Sequence, residues 1–282
     1  MAELLKGAAV VAALNEKMTA EITNLKSKGV SPTLAILRVG ERPDDISYEK
    51  GAMKRCETVG VAVKNIVLPA DVTQDVLIQN VESLNNDKGV HGVLIFRPLP
   101  KHLDEEAVRK ALKPEKDIDG ITDGSLAGVF TGNGNGFPPC TAQACMEILD
   151  FYKVNCAGKR AVVIGRSLVV GKPAAVMLMG KNTTVTVCHT KTVDMPAVAR
   201  TAEILIVAAG KANAVTKEYL APGQIVVDVG INMTADGKLC GDVKFDDAEP
   251  IVGAITPVPG GVGTVTTSVL VSHVVEAAKK LL

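Results

Sequence analysis

Apolar and polar positions alternate in two registers along this 282-residue chain. Short apolar runs rich in β-branched residues predict buried strands, and the stretches between them place apolar residues at helical spacing. "PTLAILRVG" (32–40) reads as a strand, a helix follows over 47–60, and "VAVKNIVLP" (61–69) is a second strand. "TQDVLIQNVESLNND" (73–87) is helical, and "VHGVLIFRPLP" (90–100) is a third strand closed by prolines. This β-α-β-α-β order predicts a parallel sheet covered by helices, with binding residues at the strands' C-terminal ends. "GVFTGNGNGFPPCT" (128–141) interrupts the pattern as a connection between domains would, and a helix over 141–154 follows with Thr141 as its N-cap. Further strands fall at 160–165, 183–189, 202–210 and 223–230, and a Gly/Pro loop at 256–266 feeds a long apolar helix. The expected fold is α/β with two domains, residues 1–139 and 140–266, and a terminal helix (267–282) packing back on the first.

Composition narrows the function classes. Lys+Arg and Asp+Glu both number 31, so no net field draws the chain to nucleic acid or an acidic membrane. Aromatics make up 3% and Trp is absent, which argues against stacking platforms for single strands. No apolar run approaches the roughly 18–20 residues of a membrane span, and the N-terminus lacks a signal-peptide layout. A cytoplasmic, soluble protein is expected. The six cysteines and four histidines are scattered, without C-x-x-C or zinc spacing, so free thiols and no metal are expected.

"AVVIGRSLVVGKPAAVML" (161–178) carries the most informative local signal. A buried strand ends at Gly165, a loop runs through Arg166 and Ser167 to Gly171, and a helix opens with Pro173 near its first position. Such a junction aims backbone N–H groups and the helix dipole at a phosphate. It is not a strict G-x-G-x-x-G, and an ordinary strand-to-helix turn would share its composition. About 20 residues on, where an NAD site carries an acid for the ribose, the next strand ends in His189, Thr190 and Lys191. With Arg166 nearby, that edge favours the 2′-phosphate of NADP, with NAD the alternative; solvated residues at a strand end are the plain reading of His189 and Lys191.

"GRSLVVGKP" (165–173), "CHTKT" (188–192), "EKDIDG" (115–120), "PCT" (139–141) and "TPVPGGVGTVT" (256–266) occur in the order of one family. Over essentially its whole length the sequence resembles the methylenetetrahydrofolate dehydrogenase/methenyltetrahydrofolate cyclohydrolase family. That resemblance implies an N-terminal folate domain and a C-terminal NAD(P)-binding Rossmann domain, with the site in the cleft between them. It implies hydride transfer from 5,10-methylenetetrahydrofolate to a nicotinamide, hydrolysis of the methenyl product, a homodimer, and tetrahydrofolate one-carbon derivatives as ligands. Tyr48 matches the active-site tyrosine and Asp119 the folate-binding aspartate, whose carboxylate suits the N–H edge of a pterin; Asp before Gly is also a common turn former. Pro259, Gly260 and Gly263 match a loop that approaches folate and nicotinamide. Gly165, Arg166, Ser167, Gly171, His189, Thr190 and Ile231 match cofactor positions. Thr264 and Val265 replace the Pro and Met that usually follow this loop.

Two departures bear on the chemistry. The family's catalytic lysine lies four residues after the tyrosine, where this chain has Ala52. Its partner glutamine, from a V-Q-L-P-L-P strand end, is replaced by Phe96 in "IFRPLP". At ~100° per residue, Lys50 and Lys54 fall on other helix faces than Tyr48. Arg55 is nearer, but a guanidinium does not act as a base. Arg97 is expected on the face opposite Phe96 if the strand stays regular. The expectation is a dehydrogenase with weak or absent cyclohydrolase activity. The alternatives are a fully bifunctional enzyme and a non-catalytic cofactor-binding relative; a shikimate-dehydrogenase-like enzyme would leave "PGGVG" and "EKDIDG" unexplained.

Overall fold

A computed structural model describes residues 1–234 and 236–280; Leu281 and Leu282, the end of the expected terminal helix, lie outside them. In chain order the main elements are β1 (Glu3–Leu4), α1 (Gly7–Ser27), β2 (Thr33–Val39), α2 (Pro43–Val59), β3 (Ala62–Leu68), α3 (Gln74–Asn86), β4 (Gly92–Ile95), α4 (Glu105–Ala111) and α5 (Asp123–Thr131). There follow α6 (Cys140–Phe151), β5 (Arg160–Ile164), α7 (Gly171–Gly180), β6 (Thr184–Cys188), α8 (Met195–Arg200), β7 (Ile204–Val207) and β8 (Ile225–Asp228). A small hairpin of β9 (Asn232–Met233) and β10 (Leu239–Cys240), then α9 (Phe245–Ala248), β11 (Ala254–Ile255) and α10 (Val262–Lys279), complete the described chain. No described helix is long and apolar enough to cross a membrane.

Two compact units result. One comprises residues 13–140 and 267–282, the other residues 1–12 and 141–266. The pattern placed residues 1–139 in one domain, whereas the first twelve residues fall in the unit of residues 141–266. The reason is β1, whose Glu3 and Leu4 pair in parallel with Ala254 and Ile255 of β11. A two-residue strand is too short to show periodicity, so β1 left no trace in the apolar pattern.

The first unit holds a parallel sheet in the order β3-β2-β4. Leu34, Ala35, Ile36 and Leu37 of the central β2 are at most 1% exposed, which explains the unbroken apolar run. Arg38 is the polar exception. It is buried and meets Glu49 of α2 at 2.7 Å, while Glu49 also accepts from Asn65 Nδ2 at 3.0 Å. Glu49→Ala would leave Arg38 buried without its counter-charge, so a loss of roughly 3–5 kcal/mol is expected in denaturant unfolding. A loss near zero would show that water solvates this pair.

Helix α2 begins at Pro43, four residues before the expected start. "RPDD" is helix entry, because proline suits the first position and Asp44 and Asp45 sit in the first turn. Strand β4 stops at Ile95, short of the expected 90–100 span. The ladder extends one hydrogen bond further, Phe96 N to Leu37 O at 3.2 Å, and the turn follows. Helix α6 starts at Cys140 directly after two prolines, so Thr141 is a helical residue and not the N-cap.

The second unit holds a six-stranded parallel sheet, β1-β11-β8-β7-β5-β6. Strand β5 has β6 on one side and β7 on the other, so the chain reverses direction across the sheet there. Ligands of such sheets bind outside the C-terminal ends of the strands at that reversal.

Candidate active site

In the first unit, α2 carries Tyr48 and Ala52, the end of β4 supplies Phe96, and Asp119 follows a 3-10 turn at Pro114–Lys116. The rings of Tyr48 and Phe96 meet edge to face, with centroids 5.8 Å apart. Ala52 is fully buried and Phe96 is 9% exposed. Lys50 and Lys54 are exposed, as their positions on the helix wheel implied, and Arg55 is half-buried. Burial raises the Tyr48 phenol above its ordinary range, and nearby Cys140 and Asp119 add to this while Thr267 opposes it. Tyr48 is therefore a neutral donor and acceptor rather than a base.

The two acids of "DIDG" have separate tasks. Asp117 is fully buried and accepts from Ile121 N at 3.0 Å and Thr122 N at 2.8 Å, which builds the turn and sets the cap of α5. Asp119 takes no part in these two backbone bonds, and its carboxylate has the Cys140 thiol as a neighbour. Burial pushes its pKa up to about 6, with Arg97 the first opposing influence. The turn-forming role that Asp-Gly suggested belongs to Asp117. Gly120 has φ 68, and a Cβ there would lie 2.4 Å from Pro139 N.

Sequence reasoning missed how the carbonyl before Asp119 is held. His273 Nδ1 donates to Ile118 O at 2.8 Å and Cys140 Sγ does so at 3.2 Å. The His273 ring stacks on Phe137 with centroids 5.0 Å apart, and burial lowers its pKa to about 4, so it is neutral. The motif "PCT" already contained Cys140; a lone histidine 154 positions from Asp119 carried no signal.

The second unit brings Gly165, Arg166, Ser167, His189 and Thr190 around one cavity of about 370 Å³. They follow β5 and β6, and Ala208, Ala209 and Lys211 after β7 close the other side. Lys211 was not among the expected residues, although its place after the "AEILIVAAG" strand could have suggested it. No carboxylate lines this cavity among the described residues, whereas Arg166 and Lys211 do. Lys191 does not line it.

Gly171 does not line it either, but shapes the loop from behind. A Cβ on Gly171 would fall 2.1 Å from Gly165 O, and one on Gly165 would fall 2.2 Å from Ala208 O. Pro173 is the third residue of α7, where its missing N–H still costs no helical bond.

Ile231 lies elsewhere. With Pro259, Gly260 and Gly263 it lines a separate pocket of about 140 Å³ in the same unit. A Cβ on Gly263 would meet Ile231 Cδ1 at 2.7 Å, so the glycine is what lets the loop approach that side chain. The remaining cysteines, Cys56, Cys145, Cys156, Cys188 and Cys240, are free thiols, all but Cys240 buried.

A parallel sheet reversing at β5, a Gly-rich β5–α7 loop and an acid-free basic cavity define a dinucleotide-binding α/β protein of two units. Residues 139–282 match the tetrahydrofolate dehydrogenase/cyclohydrolase NAD(P)-binding domain, and residues 5–119 match the catalytic domain of the same family. A "Bifunctional protein FolD" of Carboxydothermus hydrogenoformans is 50% identical over 283 aligned positions, covering 100% of this chain and 99% of that one. The crystal structure of the bifunctional FolD enzyme of Campylobacter jejuni superposes with a TM-score of 0.97 at 39% identity, covering 100% of each chain. The Trypanosoma brucei methylenetetrahydrofolate dehydrogenase-cyclohydrolase, solved with NADP and an inhibitor, gives 0.92 at 36% identity over 99% of this chain and 98% of that one. The chain belongs to the tetrahydrofolate dehydrogenase/cyclohydrolase family.

Proposed function

We propose that this protein oxidises 5,10-methylenetetrahydrofolate to the methenyl compound by hydride transfer to NADP, with little or no hydrolysis of the product. The observation that carries the second half is the pairing of a buried Ala52 and Phe96 beside Tyr48. Ala52 and Phe96 stand where the family pattern places its lysine and glutamine.

Asp119 accepts from the N–H edge of the pterin through both carboxylate oxygens. Tyr48, a neutral phenol that keeps its proton, lines the folate and does not act as a base. When bound, the nicotinamide supplies the hydride acceptor, and the folate nitrogen supplies the electron push, so orientation suffices. Gly165 to Ser167 suit the pyrophosphate, while Arg166, His189 and Thr190 suit the 2′-phosphate of NADP. The loop at Pro259–Gly263, with Ile231, would receive the nicotinamide and the folate. Hydrolysis of the methenyl group instead needs water activated and protons moved at N5 and N10. Neither an alanine nor a phenylalanine does this.

The family resemblance also implies a homodimer. The open edge of β3, with Val67 50% exposed, supports that reading. A fully bifunctional enzyme is the second reading, favoured by the name of the relatives; the exposure of Lys50 and Lys54 weighs against it.

Two assays test the proposal. Methylenetetrahydrofolate with NADP or NAD should generate reduced nicotinamide, faster with NADP. Methenyltetrahydrofolate should disappear at close to its spontaneous rate. No reduction with either nucleotide ends the dehydrogenase reading, and hydrolysis far above background ends the loss of the second activity.

A further inference from the structure

The second unit contains a buried acid that lines neither the basic cavity nor the pocket at Ile231. Asp242 follows β10 and has no exposed surface. Its Oδ2 accepts from Gly210 N at 2.8 Å, and its Oδ1 accepts from Lys211 N at 2.9 Å and from Asn232 Nδ2 at 2.9 Å. Gly210 is left-handed, with φ 67. Two successive backbone N–H groups in such a turn form a concave site for an anion, and here a carboxylate of the chain itself fills it.

The partners of Asp242 belong to two different loops. Gly210 and Lys211 follow β7, and Lys211 lines the cavity of about 370 Å³ with Arg166, His189 and Thr190. Asn232 opens β9 directly after Ile231, which lines the pocket of about 140 Å³ with Pro259 and Gly263. One carboxylate thus holds a wall of each space. Its own place is fixed by Asp228 at the end of β8. Asp228 Oδ1 accepts from Asp242 N at 3.0 Å and from Gly230 N at 2.9 Å, and its Oδ2 accepts from Val243 N at 2.9 Å.

We propose that Asp242 is a positioning residue for NADP: it ties the loop carrying Lys211 to the segment carrying Ile231, so that a single dinucleotide meets both spaces. The inference rests on the reading that the nicotinamide reaches Ile231 while the 2′-phosphate end occupies the basic cavity. A carboxylate suits the task because its two oxygens accept from all three donors at once. An asparagine has one acceptor oxygen, and its amide nitrogen would face an N–H on the other side, so it can hold one loop but not both.

Calorimetric binding of NADPH and of 2′,5′-ADP to the whole chain tests this, because the second ligand carries the 2′-phosphate end without the nicotinamide. Asn232→Ala cuts only the tie to the hairpin, and it should weaken NADPH roughly 10-fold, the scale of one hydrogen bond to a charged group, with 2′,5′-ADP unchanged. Asp242→Ala should weaken both ligands, NADPH the more, since both ties are lost. An acid that only stabilises the fold would lower the unfolding midpoint and leave the ratio of the two affinities as it was. Folded variants with that ratio unmoved would overturn the proposal. Asn232 is half-buried, so its alanine variant keeps the test open should Asp242→Ala fail to fold. Ile231→Ala separates the underlying reading, because a nicotinamide against Ile231 requires weaker NADPH and unchanged 2′,5′-ADP. If that variant binds NADPH as the unaltered chain does, the nicotinamide placement falls and the proposal with it. A loss there beside an unmoved ratio in Asn232→Ala and Asp242→Ala removes only the role of Asp242.

Discussion

Ala52→Lys combined with Phe96→Gln should raise methenyltetrahydrofolate hydrolysis by roughly 10²-fold or more, the usual scale of a placed general acid–base. Neither change alone should do so. Ala52 has no exposed surface, so a lysine there meets a filled site and loses the water that its ammonium needs. Phe96 fills the neighbouring space against Tyr48 and offers no hydrogen bond. Ala52→Lys by itself should therefore cost ~1–3 kcal/mol of stability through overpacking, with hydrolysis unchanged. Removing the phenyl ring at the same time opens room, and the amide gives the ammonium a partner. Loss of methenyl absorbance reports the result. A double variant that folds and still reduces NADP, yet hydrolyses only at background, would show that the missing pair is not what limits the second reaction.

Asp119→Ala is expected to lower kcat/KM for methylenetetrahydrofolate by about 10²- to 10³-fold, since hydrogen bonds to a charged group contribute ~1.5–3 kcal/mol each. KM for NADP should hardly change. In the unaltered chain kcat/KM should also fall as the pH drops through about 6, because burial has raised this carboxyl and the protonated form cannot accept from both pterin N–H groups. Asp117→Ala provides the contrast. Its carboxylate holds the turn through Ile121 N and Thr122 N, so stability should drop without a pH limb specific to folate. If the two alanine variants behave alike in folate kinetics, the division of labour within "DIDG" is wrong.

Most of the architecture was legible because parallel strands buried on both faces show as apolar runs, and β2 and β5 are of that kind. The nucleotide loop was legible for a similar reason: Gly165 and Gly171 leave no room for a side chain, and composition reports that directly. What escaped the sequence was arrangement over distance. The pairing of β1 with β11 spans 251 positions, and His273 holds Ile118 O from 155 positions away. The two carboxyls of "DIDG" look alike in sequence and differ only in what donates to them.

The exchange of chain ends described for the two units has a consequence for how the molecule can be divided. Cutting after Cys140 gives an N-terminal fragment that lacks residues 267–282 and carries twelve residues of the other unit. The C-terminal fragment lacks β1 and carries a helix end with no sheet of its own. Neither half of the gene therefore encodes a finished unit. During synthesis, the first unit stays incomplete until the last helix has left the ribosome.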